Sequence, residues 1–172
     1  DFNDWKEHGD YRMYHVKSSP GVWEVELQSG AIKHGDLYKL KVRWNGGEGE
    51  RIPAWANRVV QDEQTKIFSA QVWEPENPYR FRKKVFRAKT DPLMIYECHI
   101  GMAQEEERVG TYNEFREKIL PRIAEAGYNC IQIMAIQEHP YYGSFGYHVS
   151  SFFAPSSRFG TPDELKELID TA

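Results

Sequence analysis

The second half of the chain, from residue 93 onward, constrains the fold most because it alternates apolar strands with helical segments. Residues 93–100 (LMIYECHI) and residues 130–136 (CIQIMAI) are short apolar runs, of the kind that form strands buried in a sheet. A helical pattern follows each run, so the order is strand, helix, strand, helix. Two strands that are joined through a helix run parallel. This half is therefore predicted to be an α/β unit.

Both predicted helices begin with the same capping signal, a threonine followed three residues later by a glutamate. Thr111 and Glu114 form this capping box before the first helix. Thr161 and Glu164 form it before the second, where Pro162 takes the first helical position. The signal predicts where each helix starts.

The first helix is expected to be interrupted. Gly127 is placed to end it, and Pro121 lies inside its apolar pattern. Because proline has no backbone N–H to donate, we expect a kink or two short helices that share one path. The apolar face of this helix is predicted to comprise Phe115, Ile119, Ile123 and Ala126.

The first half of the chain has no helical period and is predicted to be β-structure. Residues 21–27 (GVWEVEL) and 37–44 (LYKLKVRW) alternate with period two, and residues 68–73 (FSAQVW) are a further strand candidate. Residues 46–49 (GGEG) are predicted to turn a hairpin. Short strands separated by turn signals predict an immunoglobulin-like β-sandwich.

Two further features of this half bear on its organisation. Trp23 and Trp44 are expected to lie in the core of the sandwich. Residues 74–92 contain three prolines and a cluster of basic residues with little periodicity. This segment is predicted to be a linker between two domains.

Charge and hydropathy exclude several classes of partner. The chain has 22 Lys and Arg against 26 Asp and Glu, a net charge of −4, so we expect no nucleic-acid partner. No apolar run approaches the ~20 residues that cross a bilayer, and we expect no membrane partner. The start, Asp-Phe-Asn, has neither a secretory signal nor an initiator Met, so we expect the chain to be part of a longer one.

The two cysteines, Cys98 and Cys130, lie within the two apolar runs of the second half. Their spacing does not match a metal site, and no metal or cofactor is expected. Buried free thiols are favoured over a disulfide. Free thiols in turn favour a cytoplasmic location.

The segment between the second strand and the second helix is rich in rings. Residues 138–162 contain seven aromatic residues, two histidines and three glycines. Within it, Glu138 and His139 are expected to anchor the loop rather than to perform acid–base chemistry. Arg158 is expected either to pair with an acidic residue or to orient the loop, and the sequence leaves both possibilities open. Three further rings are expected to be core beneath the loop, namely Phe152, Phe153 and Phe159.

Several of these segments resemble one enzyme family. The motif YECHIG (96–101) and residues 120–172, with QEHPYYGSFGYHVSSFFAPSSRFGTP at their centre, closely resemble the opening of the catalytic barrel of the 1,4-α-glucan branching enzymes of glycoside hydrolase family 13. The motifs DFNDW, GVWEVEL and HGDLYKLKV resemble that family's N-terminal sandwich, a carbohydrate-binding module of family 48. IPAWANRVV and WEPENPYRF resemble its region between sandwich and barrel, so the resemblance covers nearly the whole chain.

The resemblance implies a mixed fold. Residues 1–88 would form the immunoglobulin-like carbohydrate-binding β-sandwich with its linker, and residues 89–172 the first two β/α units of a truncated (β/α)₈ TIM barrel. Because a complete barrel takes ~250 residues, the catalytic carboxylates of the family are expected beyond Ala172.

The implied reaction is glucan branching. An α-1,4 bond is cleaved and the segment is transferred to a 6-hydroxyl with a retaining mechanism, which makes the α-1,6 branches of glycogen. The chain of 172 residues is expected to be inactive by itself and to bind or position glucan.

The resemblance also implies where glucan is bound. In barrels of this kind the site lies at the C-terminal ends of the strands, so the ring-rich loop would form one wall of a glucan groove, because sugars stack on rings and their hydroxyls need polar partners. Tyr147 is similar to the family's tyrosine that stacks on the sugar at the cleavage point. His148 is expected to hydrogen-bond a sugar hydroxyl, and Tyr142 belongs to the same expected site. In the sandwich, the expected glucan contacts are Trp5, Lys33, His34, Gly35 and Asp36.

The implied partner is an α-glucan such as glycogen or a maltooligosaccharide. Two other interpretations remain open: another family 13 hydrolase of amylase-like or debranching type, and a non-enzymatic glycan-binding module. Two parallel strands without further barrel neighbours expose apolar faces and edges, so self-association of this chain is expected as well.

Overall fold

The computed structural model describes residues 2–83 and 92–172. Part of the predicted linker, residues 84–91, lies outside the described residues, together with the expected domain boundary between residues 88 and 89. The strands are β1 (Tyr14–His15), β2 (Trp23–Glu24), β3 (Leu37–Tyr38), β4 (Leu40–Trp44), β5 (Gly47–Arg51), β6 (Val59–Gln61), β7 (Phe68–Gln71), β8 (Ile95–His99), β9 (Cys130–Met134), β10 (Gln137–Glu138) and β11 (Ser151–Pro155). The helical elements are α1 (Tyr112–Glu114), a π-helical segment (Phe115–Ile119), α2 (Leu120–Glu125) and α3 (Pro162–Thr171), with 3₁₀ turns at Gly9–Tyr11, Ile100–Met102, Tyr142–Ser144 and Ser157–Phe159.

The strands of the described residues form five small sheets. Four are antiparallel: the pairs β1–β2, β4–β5 and β10–β11, and a three-stranded sheet in the order β3-β7-β6. The fifth is the parallel pair β8–β9. The first half is therefore β-structure as predicted, although its strands are short. Of the predicted strand at residues 21–27, only Trp23–Glu24 is a strand.

The predicted hairpin is present, but its turn was misplaced. Trp44 pairs with Gly47, so the turn consists of Asn45 and Gly46, and the predicted turn residues from Gly47 onward belong to β5. Gly46 has a φ of 88°, in the left-handed region that glycine adopts without strain.

The expectation that Trp23 and Trp44 are core residues was wrong. Their side chains are 60% and 48% exposed. Trp44 packs on its own hairpin: its indole lies over Gly47, where an added Cβ would be 3.2 Å from Nε1. Trp23 meets His15 edge-on, with ring centroids 5.5 Å apart. Each tryptophan belongs to a two-stranded sheet, which offers too little neighbouring surface to bury an indole.

The parallel pair and the helices between its strands confirm the predicted crossover. His99, the last residue of β8, pairs with Met134, the last residue of β9. Both capping boxes are formed, since the Thr111 and Thr161 hydroxyls accept hydrogen bonds from the amides of the glutamates three residues later. The expected interruption is a π-helical segment, in which the Leu120 N–H donates to the carbonyl of Phe115 before Pro121.

The main core lies between the parallel pair and the helices. Cys98 of β8 packs in it with the helix residues Phe115 and Ile123 and with Leu168 of α3. The predicted strand at residues 130–136 is half-buried rather than buried, because Ile131 and Ile133 pack only at the margin of this cluster. Cys98 and Cys130 are free thiols, as predicted, but only Cys98 is buried, whereas Cys130 is half-buried. Burial raises the pKa of the Cys98 thiol to about 11.

A smaller core lies on one face of the three-stranded sheet. Val59 and Ala70 are fully buried there, and Ala154 of β11 completes the cluster from the second half of the chain. Of the three rings expected to be core beneath the loop, Phe159 is fully buried, whereas Phe152 and Phe153 are 70% and 52% exposed. Those two expectations were wrong, because the residues of β11 that are buried are the small Ser151 and Ala154.

The irregular segment after β7 is held against α3. The Asp170 carboxylate accepts hydrogen bonds from the Tyr79 hydroxyl at 2.8 Å and from the backbone amides of Arg82 and Lys83 at 2.8 and 3.2 Å. These bonds, that of the Arg82 amide first, lower the pKa of Asp170 to about 2. Among the residues that the structure describes, no helix has the length and apolarity of a membrane span.

Candidate functional site

The candidate site lies where β8 and β9 end, at one edge of the parallel pair. The chain turns sharply after β9, with a φ of 57° at Ala135. Gly146 returns across this turn so closely that an added Cβ would lie 2.3 Å from the Ala135 Cα. Only glycine permits this contact, and Gly146 also has a φ of 82°. The ring-rich loop therefore folds back on the end of β9.

A buried ion pair anchors the loop. Glu138 is fully buried, and its carboxylate accepts hydrogen bonds from the Ser157 amide at 2.6 Å and from the Arg158 guanidinium at 3.2 Å. Arg158 also donates to the backbone carbonyls of His139 and Pro140. Two residues 20 positions apart thus close the loop. The predicted anchoring role is confirmed for Glu138, whereas His139 contributes a backbone carbonyl, and Arg158 both pairs with an acidic residue and orients the loop.

The rings of the loop form a buried base and an exposed rim. Phe159 is fully buried at the base and meets His99 edge-on, with centroids 5.6 Å apart. Tyr142 is half-buried and also meets His99 edge-on, at 6.0 Å. At the rim, Tyr141 and Tyr147 are 66% and 78% exposed. The exposed rings have the flat apolar surface on which a sugar stacks, and the buried rings hold the loop in place.

The three loop residues expected to bind glucan have different surroundings. Tyr147 is 78% exposed, and its backbone amide donates to the carbonyl of Ser144 at 3.0 Å, which fixes the main chain beneath the ring. His148, next in the chain, is exposed. Tyr142 belongs to the base rather than the rim, and burial raises the pKa of its hydroxyl. Tyr147 and His148 are therefore accessible to a ligand, and Tyr142 is partly covered.

His99 is a residue at this edge whose environment the sequence did not indicate. Glu97 accepts a hydrogen bond from Gln132 at 2.8 Å, but His99 is 8% exposed and, among the described residues, neither ring nitrogen has a partner. Burial lowers the pKa of His99, and the neighbouring His139 lowers it further. In the sequence, the only feature that could have indicated this buried, unpaired ring was the position of a lone histidine at the end of an apolar strand.

The residues of the first half expected to bind glucan form an ordered loop, with Trp5 elsewhere in the same half. Asp36 accepts a hydrogen bond from the Lys33 amide at 2.7 Å, and Gly35 has a φ of 92°. His34 accepts a hydrogen bond from the Glu74 amide at 3.0 Å and meets the Trp73 ring edge-on.

Trp5 is 47% exposed and has the Lys39 ammonium 5.6 Å from its ring centre. Contacts between Trp5 and the loop at residues 33–36 are not found among the described residues. The structure therefore leaves both groups accessible without joining them. In the described part of the chain, no cluster of three or more His, Cys, Asp or Glu is arranged to hold a metal ion.

Comparison with known proteins finds relatives that share one name. Over the whole chain, the sequence is 46% identical to the 1,4-alpha-glucan-branching enzyme of Rhizophagus irregularis and 45% identical to that of Yarrowia lipolytica. It is 43% identical to that of Dictyostelium discoideum over 95% of the chain. The chain is a homologue of the 1,4-alpha-glucan-branching enzymes. It spans 26% of the length of each of these three relatives. No protein-family model matches it.

Solved structures share the fold of this branching-enzyme homologue. An alpha-amylase-like protein of Salmonella typhimurium superposes with a TM-score of 0.67 at 24% identity, over 83% of this chain and 23% of that one. Pullulanase type I of Bacillus subtilis, solved in complex with maltose, superposes with a TM-score of 0.55 at 19% identity, over 80% of this chain and 23% of that one. At these identities the likeness concerns the fold alone.

Proposed function

We propose that this chain is part of an enzyme that branches α-glucans. The enzyme cleaves an α-1,4 bond with retention and transfers the freed segment to a 6-hydroxyl, which makes an α-1,6 branch of glycogen. The observation that carries the proposal is the identity of 42–46% to proteins named 1,4-alpha-glucan-branching enzyme, across 95% or more of the chain. The proposal gives the residues of this chain a role in binding and orienting glucan and assigns bond cleavage to none of them.

The proposed architecture has two parts. Residues 1–88 would be a carbohydrate-binding β-sandwich of the family 48 type with its linker, and residues 89–172 would open a (β/α)₈ barrel. Support for the first part is the set of short antiparallel pairs. Support for the second is the parallel β8–β9 pair with its helical crossover, the unit from which such barrels are built. The superposition of this chain on an alpha-amylase-like protein agrees with both parts of the proposed architecture.

Within this function, Tyr147 would stack on a glucose unit and His148 would hydrogen-bond one of its hydroxyls. Tyr142 would support the wall from beneath. The proposal for Tyr147 is supported by a ring that is 78% exposed on a main chain that is fixed by hydrogen bonds. A sugar could therefore reach the ring without a rearrangement of the loop, and preorganisation of this kind favours binding.

The decisive experiment is performed on the full-length protein that carries this chain. Branching of amylose is followed by loss of iodine staining without release of reducing sugar, which separates a branching enzyme from an amylase-like or debranching hydrolase. Tyr147→Ala should lower turnover at least tenfold, and Tyr147→Phe, which keeps the ring, should retain most of it. Release of reducing ends by the parent enzyme would contradict the branching proposal, and unchanged turnover in Tyr147→Ala would contradict only the stacking role.

The first half would supply a second contact with glucan through Trp5 and the loop of Lys33, His34, Gly35 and Asp36. Support comes from the exposure of Trp5 and from the order of the loop. Trp5→Ala should reduce retardation of the chain in a glycogen-containing gel. Trp23→Ala, which removes from β2 a tryptophan that is 60% exposed against 47% for Trp5, is the matched control and should leave mobility unchanged. Full retardation of Trp5→Ala would refute this contact, and retardation without any transferase activity in the full-length protein would favour a non-enzymatic glycan-binding module.

Two further proposals concern the state of the chain. Self-association is supported by exposed apolar residues at the start of the parallel pair, where Leu93 and Met94 are 65% and 51% exposed. A cytoplasmic location is supported by the two free thiols. The family does not fix the compartment, because one relative from Arabidopsis thaliana is named as chloroplastic/amyloplastic. Fractionation of cells with an antibody against the chain tests the location.

A further inference from the structure

His99 is a buried titratable residue to which the proposed function gives no role. It ends β8, at the edge of the parallel pair where the ring-rich loop folds back, and it is 8% exposed. Three rings of that loop meet its imidazole edge-on: Tyr142, Phe145 and Phe159, with centroids 6.0, 6.2 and 5.6 Å away. The imidazole is therefore the surface of β8 on which these rings of the loop rest.

The packing at this end of β8 is tight. Gly101 follows His99 by two residues, and a Cβ added to it would lie 2.7 Å from the Phe159 ring and 2.8 Å from the Tyr142 hydroxyl. The rings thus contact the backbone beside His99 directly. Tyr147 belongs to the same loop, so the position of its exposed ring depends on this contact.

The polar atoms of His99 are not satisfied by this packing. Among the residues that the structure describes, neither ring nitrogen has a hydrogen-bond partner. The titratable and charged groups on the elements around the ring are Glu97, Glu138, His139, Tyr142 and Arg158. The Glu97 carboxylate is bonded to Gln132 instead, and the Glu138 carboxylate is paired with Arg158. An imidazolium at this position would therefore lack a hydrogen-bond acceptor in the described part of the chain.

Protonation of His99 should consequently weaken the packing of the loop. A buried cation without a partner is costly, and its attraction to aromatic rings offsets only part of that cost. Burial, and then the neighbouring His139, lower the pKa of His99 accordingly. An opened loop returns the ring to water, where histidine titrates near pH ~6.5. The packed loop is thus favoured above pH ~6.5 and loses stability as the pH falls below it.

We propose that His99 is a positioning residue for glucan: its uncharged ring holds the ring-rich loop against the end of β8, and protonation of the ring releases the loop. Because both nitrogens of the ring are buried, the effect on a sugar passes through the position of Tyr147 and not through direct contact. The role in glucan binding rests on the proposed function, whereas the packing of the loop on His99 does not.

Hydrogen exchange of the chain without sugar tests this packing. The amides of Ser144, Phe145 and Tyr147 donate to main-chain carbonyls within the loop at 3.0 Å. Their protection factors, corrected for the intrinsic effect of pH on exchange, should fall at least about threefold between pH 7 and pH 5, because one proton is taken up on opening. The amides of α2 should keep their protection. Unchanged protection of the three loop amides overturns the proposal, and so does an equal loss in α2.

A variant that cannot be protonated assigns the effect to His99. His99→Phe keeps a ring beneath the loop, so its loop amides should be equally protected at pH 7 and pH 5. His15→Phe removes an exposed histidine from β1, and this control should lose protection as the parent chain does. If His99→Phe loses as much protection as the parent chain, another group such as His139 is responsible and the role of His99 is overturned.

A measurement on the parent chain covers the case in which His99→Phe does not fold. The ring signals of His99, followed by NMR, should titrate with a midpoint below ~6.5, and the loop amides should lose protection over the same pH range. A midpoint at or above the ordinary value overturns the proposal.

The consequence for glucan is measured in the full-length protein. Between pH 7 and pH 5, the KM for amylose should rise at least about threefold more in the parent enzyme than in His99→Phe, while kcat follows the same pH profile in both. Parallel KM profiles overturn the positioning role. Absence of branching by the parent enzyme would contradict the proposed function, and the exchange result obtained without sugar would still decide the packing of the loop on His99.

Discussion

The buried Glu138–Arg158 pair offers the sharpest test of how the ring-rich loop is held. Glu138→Ala removes the acceptor of the Ser157 amide, 2.6 Å away, and the partner of Arg158, whose side chain is only 19% exposed. Breaking a buried ion pair from one side costs about 3–5 kcal/mol, because it leaves an uncompensated charge. Since a domain has a total stability of only about 5–15 kcal/mol, this loss should be plain in a urea unfolding curve followed by tryptophan fluorescence.

Two further variants separate the effect of the lost charge of Glu138 from the effect of its lost side-chain volume. Glu138→Gln keeps the side-chain volume and one carbonyl oxygen, and it should cost less, about 1–3 kcal/mol. The double variant Glu138→Ala/Arg158→Ala leaves no unpaired charge, so its cost should fall short of the sum of the two single costs by at least about 1 kcal/mol. Glu117→Ala is the control: its carboxylate pairs with Arg116 but its side chain is 62% exposed, and the expected loss is under about 1 kcal/mol.

A local measurement distinguishes loss of the anchor from general weakening. The Ser157 amide should lose protection against hydrogen exchange in Glu138→Ala under conditions where the amides of α2 keep theirs. The reasoning is refuted if Glu138→Ala lies within about 1 kcal/mol of the parent chain, a loss typical of exposed pairs, or if the double variant is strictly additive.

Three other predictions follow from single contacts. Gly146→Ala should detach the loop from the end of β9, because the new Cβ would lie 2.3 Å from the Ala135 backbone and a φ of 82° disfavours alanine. The free energy of unfolding in urea should fall by about 1–3 kcal/mol, and an unchanged unfolding midpoint would contradict this. Asp170 has a pKa lowered to about 2, so its contribution to stability is present above pH ~4 and is lost as the pH falls toward 2. Asp170→Asn should therefore flatten this part of the acid unfolding curve, and a curve parallel to that of the parent would argue against the assignment. Self-association should appear as a rise of mass with concentration in light scattering and should diminish in Leu93→Lys; a constant monomer mass would count against it.

The structural elements that could be predicted from the sequence are those whose conformation depends on residues close to them along the chain. A capping box is formed by residues three positions apart, so both helix starts were correct. The π-helical segment before Pro121 follows from one missing donor. The turn of the β4–β5 hairpin was misplaced because the run of glycines allows several turns, and the pairing of Trp44 with Gly47 selects one of them.

Burial was predicted poorly, because it depends on what covers a sheet rather than on the strand itself. The period-two pattern identified the side of β4 to which Trp44 belongs, but no neighbouring sheet covers that side among the described residues, and the indole is half exposed. The same limit applies to Phe153, which stacks on Trp55 at a centroid distance of 4.3 Å, nearly 100 residues away. Contacts of this length have no local signature in the sequence.

In the candidate site, composition predicted a ring-rich loop, and the resemblance implied that its rings, Tyr147 among them, face a sugar. Neither could predict the pairing of Glu138 with Arg158 or the unsatisfied nitrogens of His99, since both depend on how the loop closes. The alternatives left open for Arg158 were not exclusive, because one guanidinium pairs with the carboxylate and also orients the main chain through two carbonyls.

The loop combines a buried ion pair, Glu138 with Arg158, and an exposed aromatic rim, and variants of the two should have separate effects. Glu138 and Arg158 fix the main chain, so replacing either one should affect folding before it affects ligand contact. Tyr147 projects from that fixed main chain, so its replacement should change glucan binding with little loss of stability, as is typical of exposed positions. If variants of the ion pair and of Tyr147 each altered both stability and glucan binding, the exposed rings would not be held independently by the ion pair. The rings could then not be regarded as a preorganised surface for sugar.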